Sequence, residues 1–295
     1  MNTDLTREFT KAEVVHALKQ MTPLKAPRPD GMPFIFYQHY WHLISDDVAR
    51  AMLFCLQNGH FPRDLNHTYL TLIPKVKKPE QVTEFRPIAL CNVLYKLVSK
   101  VLANRLKKKI LPLIIFETQS AFQFDKAISN NILVAFETLH HMKTNKSGKN
   151  GFMTMKLDMS KAYDRVEWGF LLQLMGKMGF SPKWIHLISE CISIVSYSVL
   201  VNGEPTNFFK PTRGIRQGDP LSPYLFLLCF EGLTQLINNA VHAEKIRGYS
   251  LCRNGPNKIS QLFFADDSLL FCRAQLGDVK TIQEILDKYE KASGQ

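Results

Sequence analysis

The chain has little that would tie it to an oxidising compartment or to a bilayer. Its six cysteines (Cys55, Cys91, Cys191, Cys229, Cys252 and Cys272) show no paired spacing and sit mostly in apolar runs. That argues against a disulfide framework and for reduced core residues. The nine histidines never pair with cysteine at zinc spacing, and His140-His141 reads as a solvated stretch beside a lysine-rich loop. There is no leader-like segment and no apolar run long enough to span a membrane, so the expected location is intracellular, nucleus or cytoplasm. Repeats and low-complexity tracts are also lacking. Acid is scarce in one half only: residues 1 to 150 carry 21 Lys+Arg against 12 Asp+Glu, and residues 151 to 295 carry 16 against 14, which together make the formal charge of +11. A basic half joined to a near-neutral one fits a polyanion-gripping lobe beside an acidic catalytic lobe, and equally a merely soluble basic surface.

What is present is ordinary globular material: 295 residues, 45% hydrophobic and 21% charged, enough for one large domain or a few subdomains. Thr10 with Glu13 forms a capping box for a helix to about Met21 with Ala12, Val15, Leu18 and Met21 on one face. A second helix starts at Pro33, a strand covers Tyr69 to Ile73, and a long amphipathic helix runs from about Asn92 to Ile110. The polar stretch from Lys143 to Gly151 is the best boundary between lobes. Beyond it the order reads strand, helix, helix, strand pair, helix, hairpin, helix. Asp164 with Glu167 reads as a second capping box, and Ser181-Pro182 and Ser222-Pro223 each set a capping hydroxyl before a proline at the first helical position. A strand ending in Asp158 and an antiparallel hairpin carrying Asp266 predict an α+β layer of the split βαβ type with helices on one face.

Three segments carry chemistry. Phe263-Phe264-Ala265-Asp266-Asp267 sets adjacent carboxylates in an otherwise apolar strand pair, which reads either as a cation site or as a solvated Asp-Asp turn. Met155-Lys156-Leu157-Asp158 closes a strand with a further carboxylate. If the two strands are neighbours, the acids converge at one sheet edge. Hard divalent ions prefer such oxygen ligands, and a pair of them about 3.5–4 Å apart stabilises both the attacking and the leaving oxygen of a phosphoryl transfer. The third segment, Arg213 to Tyr224, combines two glycines, polar side chains and a helix start. It reads as a loop presenting Gln217 to a nucleotide, or as a plain turn into a core helix.

In this order the segments resemble the reverse transcriptases, specifically the non-LTR (LINE-like) retrotransposon type found in plants. The resemblance rests on Leu157-Asp158 with Lys161-Ala162-Tyr163-Asp164-Arg165-Val166-Glu167-Trp168, on Arg216-Gln217-Gly218-Asp219-Pro220-Leu221-Ser222-Pro223, and on Phe264-Ala265-Asp266-Asp267. Lys25-Ala26-Pro27 with Pro29-Asp30-Gly31, Arg86-Pro87-Ile88-Ala89-Leu90, Lys100 to Leu106, and Gln119-Ser120-Ala121-Phe122 extend it over almost the whole chain. It implies a right-hand polymerase with fingers and a split βαβ palm. The expected spans are an N-terminal extension over 1–60, fingers over 61–150 and palm over 151–295, with a fingers-like insertion near 181–212. The implied activity is RNA-directed DNA synthesis from an RNA template, a DNA primer and dNTPs. Asp158, Asp266 and Asp267 are the implied catalytic ligands of two Mg2+ ions, or Mn2+. Tyr163 is implied as the aromatic gate against ribonucleotides, Gln217 and Gly218 as nucleotide contacts, and Lys75 and Arg86 as triphosphate clamps. Lys100, Arg105, Lys107, Lys108 and Lys109 are expected along a template backbone.

The sequence also departs from the family pattern. Arg28 stands at a usual glycine, Gln123-Phe124-Asp125-Lys126 replaces Val-Pro-Gly-Arg, and Asn130 stands where Asp is common. The last residues fall inside the fourth palm motif, so the chain reads as truncated before the thumb. The competing reading is an inactive retrotransposon remnant that at most binds nucleic acid. RNA-templated RNA synthesis is disfavoured by Tyr163 and by Phe-Ala before the aspartates.

Overall fold

A computed structural model describes residues 1–26, 28–122, 126–144, 151–251 and 258–295, apart from the side chains of Lys109 and Ile128. Pro27, Gln123-Phe124-Asp125, Cys252 and most of the expected 143–151 boundary lie outside the described residues. In chain order the elements are α1 (Asn2–Thr6), α2 (Lys11–Lys19), α3 (Phe34–His39), α4 (Trp41–Asn58), β1 (His67–Pro74), β2 (Phe85–Cys91), α5 (Val93–Lys109), α6 (Leu111–Ile114) and α7 (Ile128–Thr144). They continue with β3 (Phe152–Asp158), α8 (Trp168–Lys177), α9 (Pro182–Ser193), β4 (Ser196–Val201), β5 (Glu204–Pro205), α10 (Ser222–His242), β6 (Gln261–Phe264), β7 (Asp267–Arg273) and α11 (Leu276–Ser293). The fold is α+β, and the order after residue 151 is the one expected. Two compact units interleave in sequence: residues 1–110 with 175–225, and residues 111–174 with 226–295.

In the first unit the sheet runs β2-β1-β4-β5. β1 and β2 are antiparallel, with Leu70 opposite Ala89 and Ile73 opposite Arg86. β4 adds to β1 in parallel, from His67↔Ser196 to Leu70↔Val199. The capping box at Thr10 and Glu13 forms as expected, but α2 buries Val14, Ala17 and Leu18 while Ala12 is exposed. The helix is rotated because Met21, Leu18, Val14 and Ala17 share the stripe that reaches α5, and Ala12 falls off it. α5 is amphipathic only towards its C-terminus, where Lys100, Asn104 and Lys107 are half-buried and Lys108 is exposed. Val93, Leu97, Val98, Val101, Leu102 and Leu106 are buried, and so are Tyr95, Lys96, Ser99 and Arg105, so the first half of the helix is enclosed and its buried polar side chains must find partners indoors.

In the second unit β3, β7 and β6 form an antiparallel sheet in that order. Successive side chains of β6 point to opposite faces. Phe263 packs edge-to-face on Phe230 of α10, with ring centroids 4.7 Å apart. Leu262 joins Phe271 and Tyr249 in a cluster against Val134 and Ala135 of α7, so helices come to both faces of this strand. The segment at Gln119 forms a short parallel bridge with Phe263 at the outer edge of β6. Asp164 starts no helix, contrary to the capping-box expectation. Lys161 takes a left-handed φ of 57° and closes a turn whose N–H at Asp164 bonds back to Lys161 O, so α8 begins only at Trp168. Ser181 does cap α9, accepting the Trp184 N–H, with Pro182 first in the helix. Among the described residues no helix is long and apolar enough to cross a membrane.

Candidate active site

The second unit brings the acids together through backbone register. β6 ends at Phe264 and β7 begins at Asp267, leaving Ala265 and Asp266 as a two-residue turn. Phe264 pairs with Asp267 on one side of β7, and Asp158 pairs with the same Asp267 on the other. Directly opposed residues in an antiparallel pair hold their Cβ atoms about 4.5–5.5 Å apart, and like charges there repel. The pairing therefore favours a positive group beside these carboxylates. Lys156, two residues before Asp158 and so on the same face of β3, brings its ammonium to 3.4 Å from an Asp267 carboxylate oxygen. Tyr163 lies in the turn after β3, its ring stacked on Phe226 at 5.3 Å. Burial and then the charge of Asp266 raise its phenol pKa, which sets Asp266 and Tyr163 in one electrostatic neighbourhood.

The expectation that these carboxylates are tucked among apolar side chains is corrected by the register. Asp158 and Asp267 are exposed and Asp266 half-buried, because Ser268, Leu270 and Phe271 are the buried residues that follow in β7 while the strand ends reach the rim. The donor set is all oxygen, accessible, and already attracts one positive group, which fits a hard divalent ion. Among the described residues no three His, Cys, Asp or Glu side chains are gathered into a ready ion cluster.

The glycine loop belongs to the first unit. Gln217 O accepts the Ala89 N–H of β2 at 2.9 Å. Gly218 has φ 99°, and a Cβ there would stand 3.4 Å from Ala89 O, so the backbone conformation and the close approach both call for glycine. On either side the loop is pinned by buried charge. The Arg216 guanidinium donates to Asn66 Oδ1 (2.5 Å) and Cys191 O (2.8 Å), lies 3.9 Å over the Tyr95 ring, and pairs with Asp219 at 3.3 Å. Burial works against that charge, but Tyr95, Cys91 and Asp219 more than restore it, and its pKa is raised. Asp219 in turn accepts from the Ser99 hydroxyl and from the Leu221 N–H (2.9 Å) at the mouth of α10. Gln217 and Gly218 are left half-buried and exposed between these anchors.

The sequence-predicted cations fare unequally. Arg86 is exposed on β2, on the strand that holds Gln217. Lys75 is exposed too, but its ammonium bends back to Thr83 O at 3.2 Å. Lys100 and Lys107 are half-buried and Lys108 exposed; burial, then Lys107, lowers the Lys100 pKa. The Lys109 side chain lies outside the described residues. Arg105 does not serve a template backbone. It is 7% exposed, its guanidinium binds both Glu13 oxygens (2.8 and 2.9 Å) and the carbonyls of Leu5, Arg7 and Glu8, and it stacks 3.5 Å over Phe9. The apolar surroundings of α5 left it no solvent, so every donor is used at home.

These features meet a family pattern. The reverse transcriptase (RNA-dependent DNA polymerase) family matches residues 73–294, well over half of the chain. The chain belongs to that family. The reverse transcriptase region is similar to the transposon TX1 uncharacterized 149 kDa protein of Xenopus laevis, 27% identical over 289 residues, covering 98% of this chain and 21% of that protein. It is also similar to the Pol polyprotein of the R2DM retrotransposable element of Drosophila melanogaster, 26% identical over 265 residues, 89% of this chain and 23% of the relative. A third relative is the R2 element Pol polyprotein of Popillia japonica, 28% identical over 278 residues, 90% of this chain and 35% of the relative. The chain thus spans between about a fifth and a third of these relatives' length.

Sequence reasoning missed three charged residues of these two regions, two at the glycine loop and one at the aspartate turn. Arg216 and Asp219 stood inside the quoted loop motif without a role, and only their separation of three residues around Gln-Gly hinted at a clamp. Lys156 gave one readable signal: it is the single charged residue between Phe152 and Leu157, on the same strand face as Asp158.

Proposed function

We propose that the chain is the polymerase domain of a plant-type non-LTR retrotransposon, extending a DNA primer with dNTPs on an RNA template. The primer 3′-hydroxyl attacks the α-phosphate of the dNTP and pyrophosphate leaves. The observation that carries the reading is the register that sets Asp158 opposite Asp267 with Asp266 on the adjoining turn beside Tyr163. Asp158, Asp266 and Asp267 would hold two Mg2+ or Mn2+ ions. When bound, such ions supply charge neutralisation for the attacking and leaving oxygens of an in-line displacement.

The remaining roles follow from this. The Tyr163 ring screens the sugar 2′ position, Gln217 and Gly218 meet the incoming nucleotide, and Arg86 and Lys75 clamp its phosphates. Lys100, Lys107, Lys108 and Lys109 follow the template by charge. The fingers span 61–150 behind an extension over 1–60, and the palm spans 151–295 with an insertion near 181–212. The element would act in the nucleus or cytoplasm.

Primer extension on an RNA template with dNTPs and magnesium, run beside the Asp266→Ala variant, tests the reading. Extension by the parent chain that the variant loses is the expected result. Equal extension by both sinks the metal assignment, and RNA binding without extension by either points to a nucleic-acid-binding protein instead.

A further inference from the structure

We propose that Gln119 is a positioning residue for the aspartate turn, its side-chain carbonyl holding the backbone of Ala265 in the conformation that brings Asp266 and Asp267 to the rim. The functional half of this inference rests on the polymerase reading above. Gln119 belongs to the Gln119-Ser120-Ala121-Phe122 string, to which neither the family resemblance nor the site geometry gave a task.

Ala265 is the first residue of the turn and has a φ of 55°, in the left-handed region that side chains with a Cβ seldom adopt. Its N–H lies outside the β6–β7 ladder, whose last pair is Phe264↔Asp267. Gln119 Oε1 takes that N–H at 3.2 Å and also takes the N–H of Ala121 at 3.0 Å. Both partners are donors, so the amide oxygen and not the nitrogen faces the turn. Gln119 is only 2% exposed, and water has little access to replace it.

The mount is rigid on the other side as well. Phe263 N–H donates to Thr118 O at 2.9 Å, and Ser120 N–H donates to Phe263 O at 3.2 Å. The Asn131 side-chain amide of α7 donates to Phe263 O (2.8 Å) and Thr118 O (3.2 Å). The strand that leads into the turn is therefore fixed at its edge, and the one glutamine reaches past it to the strained residue. A neutral amide suits the task, since a carboxylate there would bring a further negative charge to Asp266 and Asp267.

The test uses the whole chain with Gln119→Met, which keeps the volume and removes the acceptor, with and without Ala265→Gly. Amide exchange followed by NMR should show the Ala265 N–H exchanging roughly tenfold faster in Gln119→Met while Leu270 in the sheet stays unchanged. Primer extension should lose about tenfold or more in turnover, with the dNTP KM changed by less than about threefold. Ala265→Gly, which reaches positive φ without strain, should restore part of that turnover in the Gln119→Met background. Unchanged Ala265 exchange overturns the brace. Faster exchange with unaltered turnover, or a double variant no better than Gln119→Met, overturns the positioning role. If the parent chain shows no extension that depends on Asp266, the polymerase reading fails, and the exchange measurement alone decides whether Gln119 braces the turn.

Discussion

At the aspartate turn the backbone does most of the positioning: Asp158 and Asp267 face each other because β3 and β7 are paired over seven residues. At the 213–221 loop side chains do it: Arg216 and Asp219, both almost fully buried, tie the loop to β1, α5 and α9, and Gln217 and Gly218 emerge between them. The difference teaches where each site is fragile. A sheet edge tolerates changes in the side chains it carries, because the ladder sets the backbone whatever those side chains are. A loop held by a buried ion pair depends on both ions, since either alone is an uncompensated charge indoors.

The largest effect should come from removing an acid without disturbing the ladder. Asp158→Asn is expected to cut primer extension by at least about ten-thousandfold with the unfolding midpoint almost unmoved, since the several kcal/mol at stake are in transition-state charge and not in folding. Single-turnover rates beside a denaturant curve would check it, and a variant that unfolds instead would break the contrast with the loop. Next, Arg216→Met should destabilise the fold by about 3–5 kcal/mol, because it strands Asp219 in the interior. Adding Asp219→Asn should lose less than the sum of the two single changes, as a double-mutant cycle in urea would show. Gly218→Ala should be milder, about 1–2 kcal/mol of backbone strain that appears as a raised dNTP KM, because Ala at φ 99° presses on Ala89 O.

A smaller effect belongs to Lys156→Met. The pair with Asp267 is exposed and contributes little to folding, but its ammonium competes with any other cation at that carboxylate. The magnesium concentration for half-maximal extension should fall by about two- to threefold, and a rise would show that Lys156 assists the site. The smallest effect concerns a carboxyl of α10 that is buried instead of displayed. Burial raises the Glu231 pKa above 4.5, while bonds from Gln235 and the Phe116 N–H partly offset it. The folded state then holds its proton more tightly than the unfolded chain, so its contribution is full below 4.5 and is lost as pH rises through the elevated folded value. Glu231→Gln should therefore gain stability over the parent chain at neutral pH and match it in acid, as thermal unfolding across pH would show.

Much of the second unit was legible from residue spacing. The Asp266-Asp267 hairpin and the strand ending at Asp158 read correctly, because alternation is local and the ladder does the rest; in the first unit the helix capped by Ser181 did so too, because capping is local. The first unit was less so. α5 reads as amphipathic on its own, with Lys96, Lys100, Asn104 and Lys108 along one polar stripe, and only its packing buries Lys96 and, on the opposite side, Arg105. The parallel contact of β4 with β1 joins segments about 130 residues apart, which periodicity cannot report. The false start at Asp164 has the same origin: a capping box is a local pattern, and the turn at Lys161 overrode it.

By itself the sequence determined the family and pointed to the acids, since both readings rest on residue types at short spacings along continuous segments. Only the tertiary structure decided how those residues are used. The reason is physical: exposure, charge pairing and hydrogen-bond satisfaction depend on what stands across the gap and not on what comes next in the chain. Arg105 and Arg216 carry the same guanidinium as Arg86, yet the first two are buried and consumed by carboxylates and carbonyls while the third remains at the surface of β2.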